Sequence, residues 1–353
     1  MISIVIVFYD LMSRGEFVST FKFFSILFLL VALLGSDAFA ARSLRVLDAK
    51  DYGDDIERFY ADCASEPVIV KNVYENHPLF SNLNPSIVEG LLSGIKLQTY
   101  KRSDENTGWK LFPVLAEAYF DEMRVGSQKY FILDQPLRGT PLEGQVEAPN
   151  VLKEDWLDSL KDAEGNPEFG LKITLSGKGS FTVFHEDGSG EQAWMYLVYG
   201  QKKWTIFPPS LRAALFDAQF KRFYDPRMSE AEKARYPFYQ YIKDQAWEVT
   251  ANGGDLILLP PGWVHQVDTS EESFGVGGNL VNGHQIDESV QTAMVERSHA
   301  LKPDFSLEDL LTEVGLKRAK TPSEQEKLGV LLQQILIWRR SVQDKTTDQP
   351  LKL

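Results

Sequence analysis

The stretch that decides the fold is GGDLILLPPGWVHQVD, which occupies residues 253–268. An apolar run leads into a Pro-Pro-Gly turn, and a second strand-like segment follows with a histidine at position 265. Short apolar runs bounded by glycine and proline are typical of β-strands joined by tight turns. The stretch therefore predicts two consecutive strands, with His265 near the start of the second.

The sequence around this stretch is β-rich from residue 166 to residue 283. Apolar residues alternate between Ala193 and Tyr199, as they do in a strand with one buried face. Glycine-rich turns separate the runs, and they lie at 177–179, 188–190 and 252–254. Many short strands separated by such turns predict a sandwich or a small barrel.

Residues 45–165 mix helical and strand signals. We expect helices at residues 55–63 and 112–123 and a strand at residues 67–70. This part is therefore predicted to be the N-terminal portion of the same domain, whose core is formed by residues 166–283.

The pattern becomes helical over residues 287–342, and a polar tail covers residues 343–353. Thr321 and Glu324 form a capping-box signature at the start of a helix. Apolar residues then follow at helical spacing: Leu328, Leu331, Leu332, Ile335 and Trp338. This stripe is expected to pack on the chain's own barrel, and a homodimer interface is the alternative.

Two of the five histidines stand in informative surroundings. His185 and Asp187 come at and just after the end of a strand-like segment, where alternation aims both side chains to the same side. With His265 they supply two imidazoles and one carboxylate, the facial triad that binds Fe(II) and leaves coordination positions open. Either piece alone is also typical of a packed core, so the hypothesis depends on the two occurring together.

A lysine stands between these two pieces in an otherwise apolar strand context. The segment is GQKKWTIFPP at residues 200–209, and the lysine is Lys202. An ammonium group in such a place needs a partner, because an unpaired buried charge is costly. A bound dicarboxylate would be such a partner.

Together these stretches resemble the JmjC-domain proteins of the cupin superfamily, which are Fe(II)- and 2-oxoglutarate-dependent oxygenases. The resemblance spans about residues 67–282, through FTVFHEDGSGEQAWMYLVYGQKKWTIFPPS, GGDLILLPPGWVHQVD and, more weakly, SEPVIVKN. It is strongest to the small, single-domain, hydroxylase-like branch. The resemblance implies a mainly β fold, a double-stranded β-helix (a jelly-roll or cupin barrel). Flanking N-terminal α/β elements and a C-terminal helical segment complete the expected architecture.

The resemblance also implies roles for individual residues. It makes His185, Asp187 and His265 the iron ligands, and it places Lys202 against the distal carboxylate of 2-oxoglutarate. Three more residues are expected to contact this cosubstrate: Thr182, Asn279 and Tyr119.

Two positions depart from the family pattern. Met195 stands where close relatives can carry Asn, and Gly277 stands where some relatives present a Thr hydroxyl. Both changes bear on cosubstrate affinity, but neither removes a metal ligand.

The expected activity is hydroxylation of a polypeptide side chain. Removal of N-methyl groups is an alternative within the same chemistry, since it begins with hydroxylation of the methyl group. A different alternative is a non-catalytic scaffold or binding protein of the endoplasmic reticulum. An intact ligand set argues against that last alternative.

Residues 1–40 are expected to be a targeting segment. The apolar run FFSILFLLVALLG at residues 23–35 is shorter than the roughly 20 residues of a membrane span and matches the core of a signal peptide. Small residues at Ala38 and Ala40 suit cleavage near Ala40, with an uncleaved signal anchor as the alternative. The protein is thus expected in the secretory pathway, in the endoplasmic reticulum lumen or secreted, with membrane contact only if the leader is an anchor.

The amino-acid composition limits the classes of molecule that the protein is expected to bind. The 37 Lys and Arg residues against 50 Asp and Glu residues give a formal net charge of −13, which argues against nucleic acid and permits a polypeptide substrate. The single cysteine, Cys63, excludes an intrachain disulfide and a multi-cysteine zinc site.

Overall fold

The computed structural model describes residues 43–63, 65–102, 109–126, 130–161, 165, 169–217, 219–220, 222–297, 311, 315, 317, 319 and 321–347. The predicted leader at residues 1–40 lies outside these residues, and so does the end of the predicted tail. Within the described ranges, no helix combines the length and the apolar character that a membrane crossing requires.

The described strands account for most of the fold. They are β1 (Arg45–Asp48), β2 (Val68–Lys71), β3 (Lys96–Arg102), β4 (Trp109–Leu115), β5 (Tyr130–Pro136), β6 (Lys172–Ser176), β7 (Phe181–His185), β8 (Gln192–Phe207), β9 (Phe216–Asp217), β10 (Arg222–Phe223), β11 (Trp247–Asn252), β12 (Leu256–Leu259) and β13 (Val264–Leu280). Strands β9 and β10 pair with each other, and the rest form one sheet in the order β1-β2-β12-β8-β13-β6-β5-β3-β4. In this sheet β11 also pairs with β8, and β7 also pairs with β13.

Two long strands organise the sheet. Strands β8 and β13 pair antiparallel along their length, with shifts of register between Thr269 and Gly275. The first half of β8 borders β12 and its second half borders β11, while β13 borders β7 and then β6. Because each long strand passes from one set of neighbours to another, it joins two layers, as in a jelly roll. The prediction of a mainly β jelly-roll fold is confirmed.

The helices that accompany this sheet lie in the N-terminal part of the chain, in the insert between β8 and β11, and in the C-terminal part. They are α1 (Ile56–Cys63), α2 (Pro85–Leu92), α3 (Ala116–Arg124), α4 (Arg212–Leu215), α5 (Glu230–Lys233), α6 (Tyr239–Ile242), α7 (Ile286–Arg297) and α8 (Pro322–Thr347). Helices α1, α2 and α3 pack with the barrel strands in one hydrophobic core that includes Phe59, Leu92, Tyr119 and Phe274. Helices α4, α5 and α6 lie in the insert between β8 and β11.

The helix predicted at residues 112–123 starts later than expected. Residues 112–115 belong to β4, where Val114 pairs with Leu97 and Pro113 pairs with Gln98 of β3. A proline inside a helix removes a hydrogen bond and clashes with the preceding turn, which Pro113 avoids in this strand. The helix, α3, therefore begins at Ala116.

The C-terminal helix forms as its capping box predicts. Thr321 accepts a hydrogen bond from the Glu324 backbone, and the Glu324 carboxylate accepts one from the Thr321 backbone. Leu328, Leu331 and Ile335 are buried against apolar residues of α7. The stripe thus packs on its own chain as far as Ile335, whereas the side chain of Trp338 lies outside the described residues.

Candidate metal centre

Two strands bring the predicted metal ligands together. His185 ends β7 and His265 is the second residue of β13, and the antiparallel pairing sets the two histidines opposite each other. Asp187 follows in the segment that leaves β7. One ligand atom from each of the three side chains lies within 4.8 Å of the others. The three side chains therefore form one compact cluster.

Backbone carbonyl groups orient both imidazoles. Nδ1 of His185 lies 2.8 Å from the carbonyl oxygen of Val183. Nδ1 of His265 lies 3.0 Å from the carbonyl oxygen of Trp263. Since a carbonyl oxygen can only accept, Nδ1 carries the hydrogen in each ring and Nε2 presents a lone pair. Nε2 of His265 lies 3.6 Å from Oδ2 of Asp187, so this lone pair faces the cluster.

The burial of His265 favours the neutral form of its imidazole, which can bind a cation. Removal from water, with the neighbouring His185 acting in the same direction, lowers the pKa of His265 to about 4. The imidazole is therefore neutral at physiological pH, which is the state a metal ligand needs.

A buried ion pair holds the residue between the two ligands of the β7 segment. Both carboxylate oxygens of Glu186 accept from Nε of Arg212, at 2.7 and 2.8 Å, and both side chains are largely buried. Burial raises the pKa of the Glu186 carboxyl, and the Arg212 guanidinium opposes that rise. The pair fastens the insert between β8 and β11 to the segment that carries His185 and Asp187. Sequence reasoning missed this pair, because nothing local connects residues 26 positions apart.

A cavity of about 370 Å³ opens beside the cluster. This volume lies within the range of small-molecule sites, about 300–1,000 Å³. Besides the three candidate ligands, its lining includes Lys172, Ser176, Thr182, Trp194, Met195, Lys202, Trp204, Gly277 and Asn279. The cavity is therefore rich in hydrogen-bond donors and bordered by aromatic rings.

Lys202 is buried in the wall of this cavity. Its Nζ donates to Oγ of Ser176 at 3.1 Å, and no carboxylate among the described residues forms an ion pair with it. Burial lowers the pKa of Lys202 to about 7. An anionic ligand would complement a buried amino group of this kind, because it would favour the protonated form.

Thr182 and Asn279 also line the cavity. Oγ1 of Thr182 accepts from the backbone N–H of Val267 at 3.2 Å, which leaves the hydroxyl hydrogen free to donate. Oδ1 of Asn279 accepts from Nζ of Lys172 at 3.0 Å. Sequence reasoning missed Lys172, although a lysine in the strand KITLS was a usable signal of the same kind as Lys202.

The structure does not bring Tyr119 to this cavity. The side chain is fully buried on α3, and its hydroxyl donates to the carbonyl oxygen of Leu175 at 2.7 Å. Because β6 takes this hydroxyl, Tyr119 acts as a packing residue between helix and barrel and is not among the cavity-lining residues.

The two departures from the family pattern face each other across paired strands. Gly277 of β13 is the register partner of Met195 of β8, and both line the cavity. A Cβ atom at position 277 would lie 2.3 Å from the carbonyl oxygen of Trp194. The close approach of the two backbones therefore requires glycine here and leaves no room for a threonine.

A glycine beyond the cluster supports a prediction about ligand placement. Gly190 ends the turn that follows Asp187, has φ +77°, and would place a Cβ 2.1 Å from the carbonyl oxygen of Ser289 in α7. We expect Gly190→Ala to lower the free energy of unfolding by about 2 kcal/mol or more, since both the backbone conformation and the contact resist a side chain. Because the turn carries Asp187, affinity for Mn(II) should fall as well, as measured by calorimetric titration.

The matched control for this change is Gly188→Ala in the same turn. A Cβ at position 188 meets no atom within 4 Å. Its effect on the free energy of unfolding should stay within about 0.5 kcal/mol, as at ordinary surface positions. An equal fall in the free energy of unfolding in the two variants would contradict the role given to the contact between Gly190 and Ser289.

The residues present fit a divalent iron ion with a dicarboxylate cosubstrate. Two neutral imidazoles and one carboxylate are the donor set of the non-haem Fe(II) facial triad. The buried Lys202 ammonium provides the positive charge that one carboxylate of 2-oxoglutarate would need.

Comparison with known proteins agrees with this chemistry. The cupin-like domain family matches residues 56–282, well over half of the chain. Among curated proteins, the chain is 28% identical over 149 residues to the human 2-oxoglutarate and iron-dependent oxygenase JMJD4, covering 42% of this chain and 36% of the relative. It is equally identical to the Gallus gallus JMJD4 protein over 152 residues, covering 42% and 35%.

A demethylase is among the relatives too. The Arabidopsis thaliana arginine-specific demethylase JMJ20 is 28% identical over 155 residues, covering 40% of this chain and 33% of the relative. The matched part of the chain spans about a third of the length of these relatives. With its ligand cluster, its jelly-roll sheet and these similarities, the chain belongs to the cupin-like, JmjC-type family, whose oxygenases use Fe(II) and 2-oxoglutarate.

Proposed function

We propose that the protein is an Fe(II)- and 2-oxoglutarate-dependent oxygenase that hydroxylates a polypeptide side chain in the secretory pathway. The observation that carries the proposal is the intact His185, Asp187 and His265 cluster beside a cavity that holds the buried Lys202 ammonium. A protein that had kept only the fold for binding would have no need of either feature.

The residues of this chain have distinct tasks in such a reaction. When bound, Fe(II) and 2-oxoglutarate supply the oxidising chemistry that activates oxygen towards a C–H bond. His185, Asp187 and His265 would hold the metal, and the cavity beside them would receive the cosubstrate. Lys202 would neutralise the distal carboxylate, and the rings of Trp194 and Trp204 would exclude water from the part of the cavity wall that they form.

N-methyl demethylation is the second candidate. It is favoured by the similarity to several relatives named as demethylases, JMJ20 among them. The leader expected at residues 1–40 would place the protein in a compartment without histones, so we place hydroxylation first. Homodimer formation through the C-terminal helices is a separate proposal, and it would have to use parts of these helices other than Leu328, Leu331 and Ile335, which are buried on their own chain.

Turnover without substrate separates an enzyme from a scaffold. Purified protein with Fe(II), ascorbate and 2-oxoglutarate should release succinate slowly, and His185→Ala should release none. Absence of both succinate release and 2-oxoglutarate binding in the unmodified protein would overturn the proposal in favour of a non-catalytic scaffold.

Location and substrate need a second experiment. N-terminal sequencing of protein from cells should find cleavage near Ala40, whereas an intact leader would support a membrane anchor. The His185→Ala variant, expressed in the same compartment, should retain polypeptide substrates. Those polypeptides should carry a +16 Da shift only when the active protein is present.

The pKa of Lys202 yields a prediction about proton linkage. In the free protein this pKa is about 7, so at pH 8 only about one side chain in ten is protonated. A bound carboxylate favours the charged form and raises the pKa, so binding of 2-oxoglutarate at pH 8 should take up nearly one proton. Calorimetric titrations of the Mn(II)-loaded protein, in buffers of different ionisation enthalpy, measure this uptake.

The linkage has a defined direction. Apparent affinity for 2-oxoglutarate should weaken as pH rises above 7, by up to about tenfold per pH unit, because the neutral amine must first be protonated. The Lys202→Met variant should show no proton uptake from this position. Proton uptake that persists in that variant would assign the effect to another group.

A further inference from the structure

Two glycines stand in the turns that carry two of the three candidate metal ligands. Gly190 comes three residues after Asp187, and Gly262 comes three residues before His265. Both glycines have a left-handed backbone, with φ +77° and +76°. Glycine is the residue that allows this conformation and lets another segment approach the backbone closely. Each turn can therefore accept a close neighbour.

The close neighbour of both turns is helix α7. A Cβ at Gly190 would overlap the backbone carbonyl oxygen of Ser289. A Cβ at Gly262 would lie 2.8 Å from Oγ1 and 3.2 Å from Cγ2 of Thr292. Ser289 and Thr292 are three residues apart in α7, so they lie on the same side of this helix. One face of α7 therefore touches both ligand-bearing turns.

Strand pairing alone does not fix the third ligand. The pairing of β7 with β13 sets His185 opposite His265. Asp187 lies after the end of β7 and before the start of β8, so none of the described strand ladders fixes its position relative to His265. A functional site needs its side chains held to within about 0.5 Å. Contact of both turns with α7 supplies a link between Asp187 and His265 that the sheet does not.

A second face of α7 packs against the C-terminal helix α8. Ile286, Val290 and Ala293 are buried in one hydrophobic cluster with residues of α8. Asp287 of α7 also forms an ion pair with Lys327 of α8 at 2.6 Å. Helix α7 therefore contacts the ligand-bearing turns with one face and α8 with another.

We propose that α7 is a positioning element of the metal centre, in which the face formed by Ser289 and Thr292 holds the two ligand-bearing turns at a fixed separation. The inference rests on the proposed function only in that the cluster binds a metal. Neither Ser289 nor Thr292 is among the residues that line the cavity, so α7 acts through the turns. Because such a link is reciprocal, metal binding also stabilises the packing of α7.

Gly262→Ala tests the contact with Thr292. The new methyl group would strain the left-handed turn and collide with Thr292, so the affinity of the full chain for Mn(II) should fall about tenfold, as when a group that supports a ligand is disturbed. Adding Thr292→Ala removes the two atoms nearest to the new methyl group. The double variant should regain at least about threefold of the lost affinity, since only the backbone strain remains. Calorimetric titration of Mn(II) measures both changes.

Gly254→Ala is the matched control for backbone strain. Gly254 has φ +94°, and a Cβ there meets no atom within 4 Å. It lies in the turn between β11 and β12, which carries none of the candidate ligands. The variant should lose stability, but its affinity for Mn(II) should stay within about twofold of the unmodified value. An equal loss of Mn(II) affinity in Gly254→Ala and Gly262→Ala, or no recovery in the double variant, would overturn the inference.

Hydrogen exchange in the unmodified protein keeps the test independent of how the variants fold. Saturation with Mn(II) should slow amide exchange in α7 at least about threefold, because metal binding opposes the opening of a segment that the bound state requires. Helix α2 packs in a different hydrophobic cluster and should respond less. Equal slowing in α7 and α2 would mean that the metal stabilises the whole domain without a specific link to α7, which contradicts the inference.

The outcomes separate this inference from the function on which it rests. If the protein binds Mn(II) but α7 does not respond and the double variant does not recover, the inference fails and the proposed function stands. If α7 responds as expected but no succinate is released, the proposed function fails and the inference stands. If the unmodified protein binds no Mn(II), both fail.

Discussion

Asp187→Ala should abolish succinate release and lower affinity for Fe(II) or Mn(II) by more than about 100-fold. Asp187 supplies the one carboxylate of the three-residue cluster, and two neutral imidazoles alone cannot offset the charge of a divalent ion. Loss of a group that merely supports a ligand costs 10–100-fold, so loss of the anionic ligand itself should cost more. Calorimetric titration of Mn(II) and an assay of succinate measure the two effects.

The fold should tolerate this change. The Asp187 side chain is 27% exposed and makes no capping hydrogen bond to the turn that follows it. The melting temperature of the metal-free protein should therefore stay within about 3 °C of the unmodified value. A large fall in stability would mean that lost activity reports unfolding rather than the lost ligand.

Asp268→Ala is the matched control on the same pair of strands. Asp268 lies three residues after His265, is 37% exposed, and pairs with Arg227 rather than with the cluster. An exposed pair of this kind contributes little stability, so metal affinity and turnover should remain near the unmodified values. Retention of metal affinity in Asp187→Ala, to within about threefold, would show that the metal binds elsewhere.

Part of the metal cluster could be predicted from local rules, because strand alternation places His185 and Asp187 on one side, whereas His265 was joined to them by the family resemblance. His185 and Asp187 are two residues apart at the end of a strand, and His265 follows a proline-glycine turn that fixes the start of the next strand. Lys202 was visible for a different reason, since a lysine within an apolar strand demands an anionic partner. The Lys202 signal needs no knowledge of a long-range contact, but the meeting of His265 with His185 depends on the pairing of β7 with β13.

What the sequence did not reveal depends on contacts between distant elements. The Arg212 and Glu186 pair and the Lys172 and Asn279 hydrogen bond join residues whose spacing carries no pattern. The sequence also suggested a contact that does not form. Tyr119 was expected to contact the cosubstrate, but its hydroxyl donates to a backbone carbonyl oxygen of the barrel. Tertiary packing decides whether such a hydroxyl contacts a backbone carbonyl oxygen or a ligand.

Lys202→Met should weaken 2-oxoglutarate binding about 30-fold and, at the same time, stabilise the protein without cosubstrate. The ammonium is a charge-assisted donor to the distal carboxylate, and a bond of this kind contributes strongly to affinity. In the absence of that carboxylate, burial lowers the pKa of Lys202 from 10.5 to about 7. A shift of that size corresponds to a free-energy cost of folding of about 4 kcal/mol at pH 7.5, as an upper bound.

The pH dependence of this stabilisation has a fixed sign. Between pH 7 and 10.5 the unfolded chain holds a proton on Lys202 that the folded chain tends to release, so the destabilising contribution of Lys202 should shrink as pH rises. The advantage of Lys202→Met should therefore be largest near pH 7 and below, and it should shrink as pH approaches 10. Thermal melts of the metal-free proteins at several pH values measure this difference.

Lys203→Met is the control that separates the site from general charge effects. Lys203 is the next residue of β8, but its side chain is 45% exposed and pairs with Glu248 at 2.9 Å. Its removal should change neither 2-oxoglutarate affinity nor the pH dependence of stability by a measurable amount. If Lys202→Met instead destabilises the protein at every pH, the hydrogen bond from Lys202 to Ser176 stabilises the cosubstrate-free protein by more than the burial of the amino group destabilises it. In that case Lys202 is a structural residue of the barrel rather than a charge held ready for the cosubstrate.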